Sequence, residues 1–340
     1  MKLRYLREVV LVVGAAVTLS ACSVAPYAAK VNGKVITQSQ LMNEMNSMAS
    51  NKAFVAQIQK SQGSIYGSGT GTFSSKFTAQ ILNRRISITL VDEALSRLHL
   101  KISPSVLSVA YPMAASAFGG TAVFSAFSKS YQAQLIKDTA AVNALEAHLA
   151  GKQLTPSSIN SYYNHNIGSF TEYCSSEILV PTQAEASTLA TKIAKGAAFP
   201  AVASKYSKDT TNAANGGVLG CGLLSQYTSA FGPAFTSAVS SLGVNQVSKP
   251  FQGIKGWYLV DVTSKPVVPE AQATPTIVSQ LLGSKAGTQL VQYVQSFAKA
   301  SNIYVNPAFG SLSLANGQVA VLPPSQPSAT AQKGFFPTPS

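Results

Sequence analysis

The sequence predicts an α+β protein in which a compact unit of short strands and helices sits between helical segments. Three observations carry this. Residues 31–166 repeat apolar side chains at helical spacing. From Glu177 the pattern changes to short extended runs alternating with helices, as far as Val262. Pro266 and Pro269 then mark a linker before helical spacing resumes. Hydrophobic residues make up 46% of the 340 residues and charged residues only 11%, a balance that favours a packed core over disorder.

The first residues read as an export signal over 1–21. Lys2, Arg4 and Arg7 form a basic start. Val9 to Val17 is apolar but too short to cross a bilayer as a helix. Leu19-Ser20-Ala21-Cys22 follows and matches a bacterial lipobox, in which Cys22 is lipidated and becomes the new N-terminus. An ordinary cleaved signal with an incidental Cys is the alternative. Lipidation of Cys22 leaves Cys174 and Cys221 as a pair in an oxidising compartment.

Residues 22–30 read as a tether. Val31-Asn32-Gly33-Lys34-Val35-Ile36-Thr37 holds a turn between two extended pieces. Thr37 and Gln40 form a capping box, and Leu41, Met45 and Met48 follow at helical spacing. Residues 62–72 are rich in Gly and Ser and read as a loop. A long helix starts at Ser74, with Phe77, Ile81, Ile88, Val91, Leu95 and Leu98 on one face. Ser103-Pro104 caps another, and Gly119-Gly120 breaks the pattern. A helix from about Ser128 turns Leu135, Val142, Leu145 and Leu149 inward and stops at Gly151; Thr155-Pro156 caps one more.

The middle unit begins with a strand over Glu177–Val180. Helices follow over Gln183–Lys195 and around Phe199, Val202 and Tyr206. Asn215-Gly216-Gly217 turns into a strand at Val218-Leu219; Phe231–Val239 is a third helix and Trp257–Val262 a closing strand. Thr274-Pro275 is expected to cap one last long helix over 275–302. Residues 320–340, rich in Pro, Ser and Ala, are expected to be disordered.

Several runs across 170–265 resemble the parvulin-type peptidyl-prolyl isomerase family. They are Ser176-Glu177-Ile178-Leu179-Val180, then Phe199-Pro200-Ala201-Val202-Ala203-Ser204-Lys205-Tyr206-Ser207-Lys208-Asp209, then Asn215-Gly216-Gly217-Val218-Leu219-Gly220. Phe231-Gly232-Pro233-Ala234-Phe235, Val247-Ser248-Lys249-Pro250-Phe251 and Gly256-Trp257-Tyr258-Leu259-Val260-Asp261-Val262 complete the series in the family's order. The resemblance implies a small antiparallel sheet with surrounding helices. The Val-Asn-Gly turn and the layout resemble SurA-like and PrsA-like exported foldases. There the parvulin unit is inserted between a helical N-terminal domain, here 31–166, and a C-terminal helix that packs back on it.

The implied chemistry is rotation about an X-Pro peptide bond, which needs no nucleophile, cofactor or metal. It needs a site that favours the twisted amide over either planar form. By resemblance the Pro ring rests on Leu219, Phe231 and Phe235, which are otherwise ordinary core residues. Two His residues of the family pattern are replaced by Glu177 and Tyr258, which are expected to hydrogen-bond to each other. Asp209 keeps the family's Cys/Asp position, although a turn-capping Asp is equally consistent. Val218 stands where the family has Asp, and Gly253 where it often has a hydroxyl residue. His99, His148 and His165 all fall in the helical region and read as surface or packing residues. Cys174, before the first strand, and Cys221, after Leu219, are placed on neighbouring strands by the resemblance and are expected to form a disulfide.

The formal net charge is +13. Removing residues 1–21 takes away three basic residues and one acidic, leaving +11. A basic surface outside a bacterial membrane suits anionic lipid, wall polymer or acidic client segments, or serves solubility alone. No aromatic-basic nucleic-acid motif is present, so nucleic acid is not an expected partner. Three functions stay open. One is an envelope isomerase and chaperone, lipid-anchored to the membrane, for unfolded or Pro-containing exported polypeptides. Another is a holdase that uses the parvulin unit only to grip peptide. The third is a structural partner in envelope assembly.

Overall fold

The computed structural model describes residues 26–315 and 319–324. The expected signal over 1–21, the Cys22 lipidation site and most of the expected tail lie outside the described residues.

β1 (Tyr27–Val31) and β2 (Lys34–Thr37) form a hairpin. Asn32 and Gly33 take left-handed angles, φ 46° and 86°, which suit a two-residue turn between twisted strands. The capping box opens α1 (Gln38–Ala49): the Thr37 hydroxyl accepts from the Gln40 N–H, and the Thr37 N–H donates to the Gln40 side chain. α2 (Lys52–Gln62) follows, capped by Asn51. α3 (Ser75–Arg97), α4 (Pro104–Ala117), α5 (Thr121–Ser125), α6 (Lys129–Leu149) and α7 (Pro156–His165) complete the N-terminal helices. Ser74, Ser103, Ser128 and Thr155 each accept from the backbone N–H three residues on.

Their core brings Leu41, Met45, Leu82, Ile86, Leu90 and Leu135 together, all essentially out of water. Each such side chain stabilises the fold by about 1.5–3 kcal/mol through burial. One ionic cluster is folded in with them. Glu44 accepts from Arg84 at 2.6 Å and from Arg85, while Arg84 also reaches Asp138 at 2.7 Å. These contacts tie α1, α3 and α6 into one packing unit.

The parvulin-like unit starts with β3 (Glu172–Val180), longer than expected. α8 (Gln183–Ala194), α9 (Phe199–Tyr206), β4 (Val218–Leu223), α10 (Leu224–Phe231), α11 (Pro233–Ser241), β5 (Gln246–Val247), β6 (Phe251–Gly253) and β7 (Gly256–Ser264) follow. The sheet runs β4-β3-β7-β5, with β6 also on β7, and every pairing is antiparallel. Alternation along β3 sends Ile178 and Val180 to one face, where α8 and α9 cover them, and Leu179 to the other, where α10 and α11 pack. The helix expected over Phe231–Val239 is α11, which starts at Pro233 because Gly232 at φ 82° turns the chain there; α10, which ends at Phe231, is an additional helix.

The long last helix expected over 275–302 is also two. α12 (Glu270–Leu282) begins before Pro275, and Gly283 at φ 84° separates it from α13 (Ala286–Lys299). Thr274 does not cap a helix; its hydroxyl donates back to the Glu270 carbonyl at 2.8 Å. α12 buries Ala273, Ile277, Val278 and Leu282 against Val109, Leu154 and Ile159, while α13 lies on α3 and α6. β8 (Ile303–Val305) then pairs with β1, giving the order β2-β1-β8. Asn32 locks this return: its N–H donates to the Asn302 carbonyl and its side-chain oxygen accepts from the Asn302 N–H, both at 2.8 Å. β9 (Ser311–Ser313) and β10 (Ala320–Leu322) form a small hairpin against α3. The disorder expected from residue 320 therefore does not begin there, because Val321 is buried on the helices.

Candidate functional site

The local chain explains how the polar residues meet. After α9, Lys208 donates its N–H to the Leu179 carbonyl at 2.7 Å, and the Ser207 hydroxyl accepts from the Leu179 N–H at 3.1 Å. This short docking on β3 brings Asp209 beside Glu177. The Glu177 N–H in turn donates to the Gly217 carbonyl at 2.8 Å. Gly217 has φ 77°, and a Cβ there would stand 2.1 Å from the Glu177 carbonyl oxygen, so the Gly-Gly turn is what lets the loop close on the strand.

Glu177 is fully buried, and neither carboxyl oxygen makes a hydrogen bond of normal geometry. Burial, with the Asp209 carboxylate beside it, pushes its pKa up to about 8. Asp209 is held below the usual carboxylate range, chiefly by its contact with the Glu177 carboxyl. One Asp209 oxygen also accepts from the Thr211 N–H at 2.9 Å, so this residue caps a turn while facing Glu177. At neutral pH the arrangement is a neutral acid next to an anion: Glu177 holds the proton and Asp209 the charge.

The expected Glu177–Tyr258 hydrogen bond is not formed. In the β3–β7 register Glu177 faces Val260, and Tyr258 faces Leu179. The two residues share a face but sit diagonally, and the Tyr258 hydroxyl makes no hydrogen bond of normal geometry. Its phenol is pushed up to about 12, first by burial and then by Glu177. The ring is used for packing: it stands edge-on to Phe235 at 5.4 Å and stacks on Phe251 at 5.7 Å. Tyr258 also accounts for Gly253. A Cβ at Gly253 would lie 2.7 Å and 2.9 Å from two ring carbons, so a side chain at 253 and this ring exclude each other.

The three apolar candidates do come together. Phe231 of α10 stacks on Phe235 of α11 at 4.5 Å, and both join Leu219 of β4 in one cluster. Phe235 is completely buried, whereas Leu219 and Phe231 are half-buried and form the part of the cluster that reaches solvent. Two members were not singled out from the sequence. Phe251 packs edge-on to Phe235 at 5.9 Å and is half-buried, and its signal is the run Val247-Ser248-Lys249-Pro250-Phe251. Tyr227 exchanges a hydrogen bond with Ser175 at 2.7 Å and donates to the Tyr173 carbonyl, fastening α10 to β3; no motif announced it. Cys174 and Cys221 face each other in the β3–β4 register and are joined by a disulfide. His99, His148 and His165 belong to the helical part and do not reach this site.

A family model described as a PPIC-type PPIase domain matches residues 154–275. A parvulin-like PPIase of Rickettsia felis is 31% identical over 192 residues, covering 54% of this chain and 67% of that protein. A parvulin-like PPIase of Rickettsia typhi is 33% identical over 147 residues, covering 42% of this chain and 52% of that protein. The foldase protein PrsA of Caldanaerobacter subterraneus is 29% identical over 156 residues, covering 46% of this chain and 49% of that protein. The chain thus spans about half to two thirds of the length of these relatives. With the motif series, the antiparallel sheet and the aromatic cluster over it, these likenesses place the chain in the parvulin-type peptidyl-prolyl isomerase family.

Proposed function

We propose that the protein is an exported prolyl isomerase and chaperone that assists folding of secreted or envelope proteins, held at the membrane through Cys22. The observation that carries the isomerase reading is the apolar surface of Leu219, Phe231 and Phe251, built over Phe235 in the unit that also holds the Glu177–Asp209 pair. The apolar surface suits a Pro ring. The charge on Asp209 suits the amide itself. A planar amide places partial negative charge on its oxygen by resonance, and twisting removes it. A fixed anion near that oxygen penalises the planar form more than the twisted one, which lowers the barrier. Glu177 supports this by remaining neutral, so that a single negative charge is concentrated on Asp209.

Two features support export. The basic and apolar start leads directly into the Leu-Ser-Ala-Cys run, and a disulfide suits an oxidising compartment. Isomerisation of a Pro-containing tetrapeptide by the mature chain tests the activity. Phe231→Ala is expected to lower kcat/KM by about tenfold to a hundredfold, the scale of one lost side-chain contact. Unchanged turnover in this variant removes the pocket assignment. Mass analysis of the mature N-terminus tests the anchor: a diacylglycerol adduct on Cys22, absent in Cys22→Ala, is the expected result.

One observation favours a second reading, a holdase without turnover. Glu177 and Tyr258 stand at the two His positions and do not join each other by a hydrogen bond. Suppression of aggregation with no tetrapeptide turnover decides for it.

A further inference from the structure

On the sheet face opposite the aromatic pocket, α8 and the end of α9 enclose a cleft of about 360 Å³. Its floor is apolar, formed by Val180 and Leu189, both buried. Its rim is cationic, with Lys192, Lys205 and Lys208 around Tyr206. Lys192 donates to the Tyr206 hydroxyl at 3.2 Å and lies 4.5 Å from the ring centre; Lys205 lies 5.4 Å from it. The two ammonium groups pull the Tyr206 phenol below its ordinary range, the Lys192 hydrogen bond first. Glu185 is the one acid on the rim, and among the described residues none of the three lysines has a carboxylate within 4.0 Å.

We propose that this cleft is a second polypeptide-docking site, which takes an acidic client segment with an apolar side chain over Val180 and Leu189 and its carboxylates among Lys192, Lys205 and Lys208. The partner class rests on the chaperone reading above; the chemistry rests on the cleft. A concavity with an apolar floor fits a side chain flanked by Asp or Glu. An inorganic anion leaves the floor unused, and a bilayer face does not enter a concavity. Lysines at a solvated rim contribute modestly and additively, so binding is weak, salt-sensitive and tolerant of sequence around the acidic residues. Such a site retains a client while the opposite face handles its Pro bonds.

The test uses the mature chain and a fluorescein-labelled peptide of alternating Leu and Glu with no Pro, followed by anisotropy. Binding is expected to weaken with added salt and to drop about tenfold in Lys192→Gln/Lys205→Gln/Lys208→Gln, while tetrapeptide turnover stays as in the parent. The peptide with Gln in place of Glu is expected to bind as weakly as the triple variant does. Equal binding of the Glu and Gln peptides overturns the proposal. So does full binding by the triple variant, loss of binding in Phe231→Ala instead, or equal competition by inorganic phosphate or phosphatidylglycerol vesicles. The lysine side chains lie at the solvated rim, and circular dichroism of the variant separates loss of binding from loss of fold. Because the readout is binding, a chain without turnover still passes or fails this test on its own.

Discussion

At neutral pH Glu177 has no solvent, no hydrogen bond of normal geometry and an anion for a neighbour. Folding therefore keeps its proton on. The folded carboxyl titrates near 8 against 4.5 for the free group. Between those values the native state holds a proton that the unfolded chain has released, so stability falls as pH rises through this window and levels off above it. The gap corresponds to roughly 5 kcal/mol at most. Urea unfolding midpoints measured from pH 5 to 9 are expected to decline, and Glu177→Gln is expected to flatten the decline and raise the midpoint at pH 8. A profile unchanged by that substitution removes the buried acid from the account. Gly253 and Tyr258 form a second residue-scale pair, since one fills the space the other leaves. Gly253→Ser alone is expected to cost about 1–3 kcal/mol through overpacking. Adding Tyr258→His, with its smaller ring, is expected to recover most of the lost melting temperature.

At the scale of elements, the helix starts were legible because a cap is local chemistry. Thr37 with Gln40, Ser103 with Pro104 and Thr155 with Pro156 each place a side-chain acceptor next to the orphan N–H groups it serves. Thr274-Pro275 has the same letters and failed, since a Pro inside a helix costs one hydrogen bond that packing against α4 and α7 can offset. α10 was missed because Leu224, Tyr227 and Phe231, though at helical spacing, span only eight residues and lack a side-chain cap to mark the start. The residues of the apolar cluster were legible only as part of the motif series. Their burial was not, because Phe235 differs from Phe231 by position in the fold and not by its neighbours in sequence. Two predictions belong here. Glu44→Ala removes the buried carboxylate that Arg84 and Arg85 share, leaving Asp138 beside both, and is expected to destabilise the helical part by about 3 kcal/mol in chemical unfolding. The disulfide fastens β4 to β3 at facing positions and encloses a sequence separation of 47. Cys174→Ser/Cys221→Ser is expected to lose about 2–4 kcal/mol, read as a lower melting temperature that dithiol reductant no longer changes.

The whole molecule has one arrangement that no local signal conveys. The N-terminal helices share a core with α13, and the N-terminal hairpin shares a sheet with β8, although the entire parvulin-like unit lies between them in sequence. Three-residue strands carry no periodicity, so β8, β9 and β10 were invisible until their partners were known. Asn32→Ala removes the side-chain half of the clasp to Asn302 and is expected to destabilise the helical part by about 1–3 kcal/mol, leaving the parvulin-like unit's transition in place when calorimetry resolves the two.

The pairing of Ala29 with Val305 also sets a schedule. A chain emerging from its N-terminus presents β1 early and supplies its neighbour last. Until then the hairpin has an open edge and the helices lack one wall, while every strand of the isomerase sheet has already appeared. The parvulin-like unit is thus able to finish before the helical part, whose sheet is completed only once β8 has emerged.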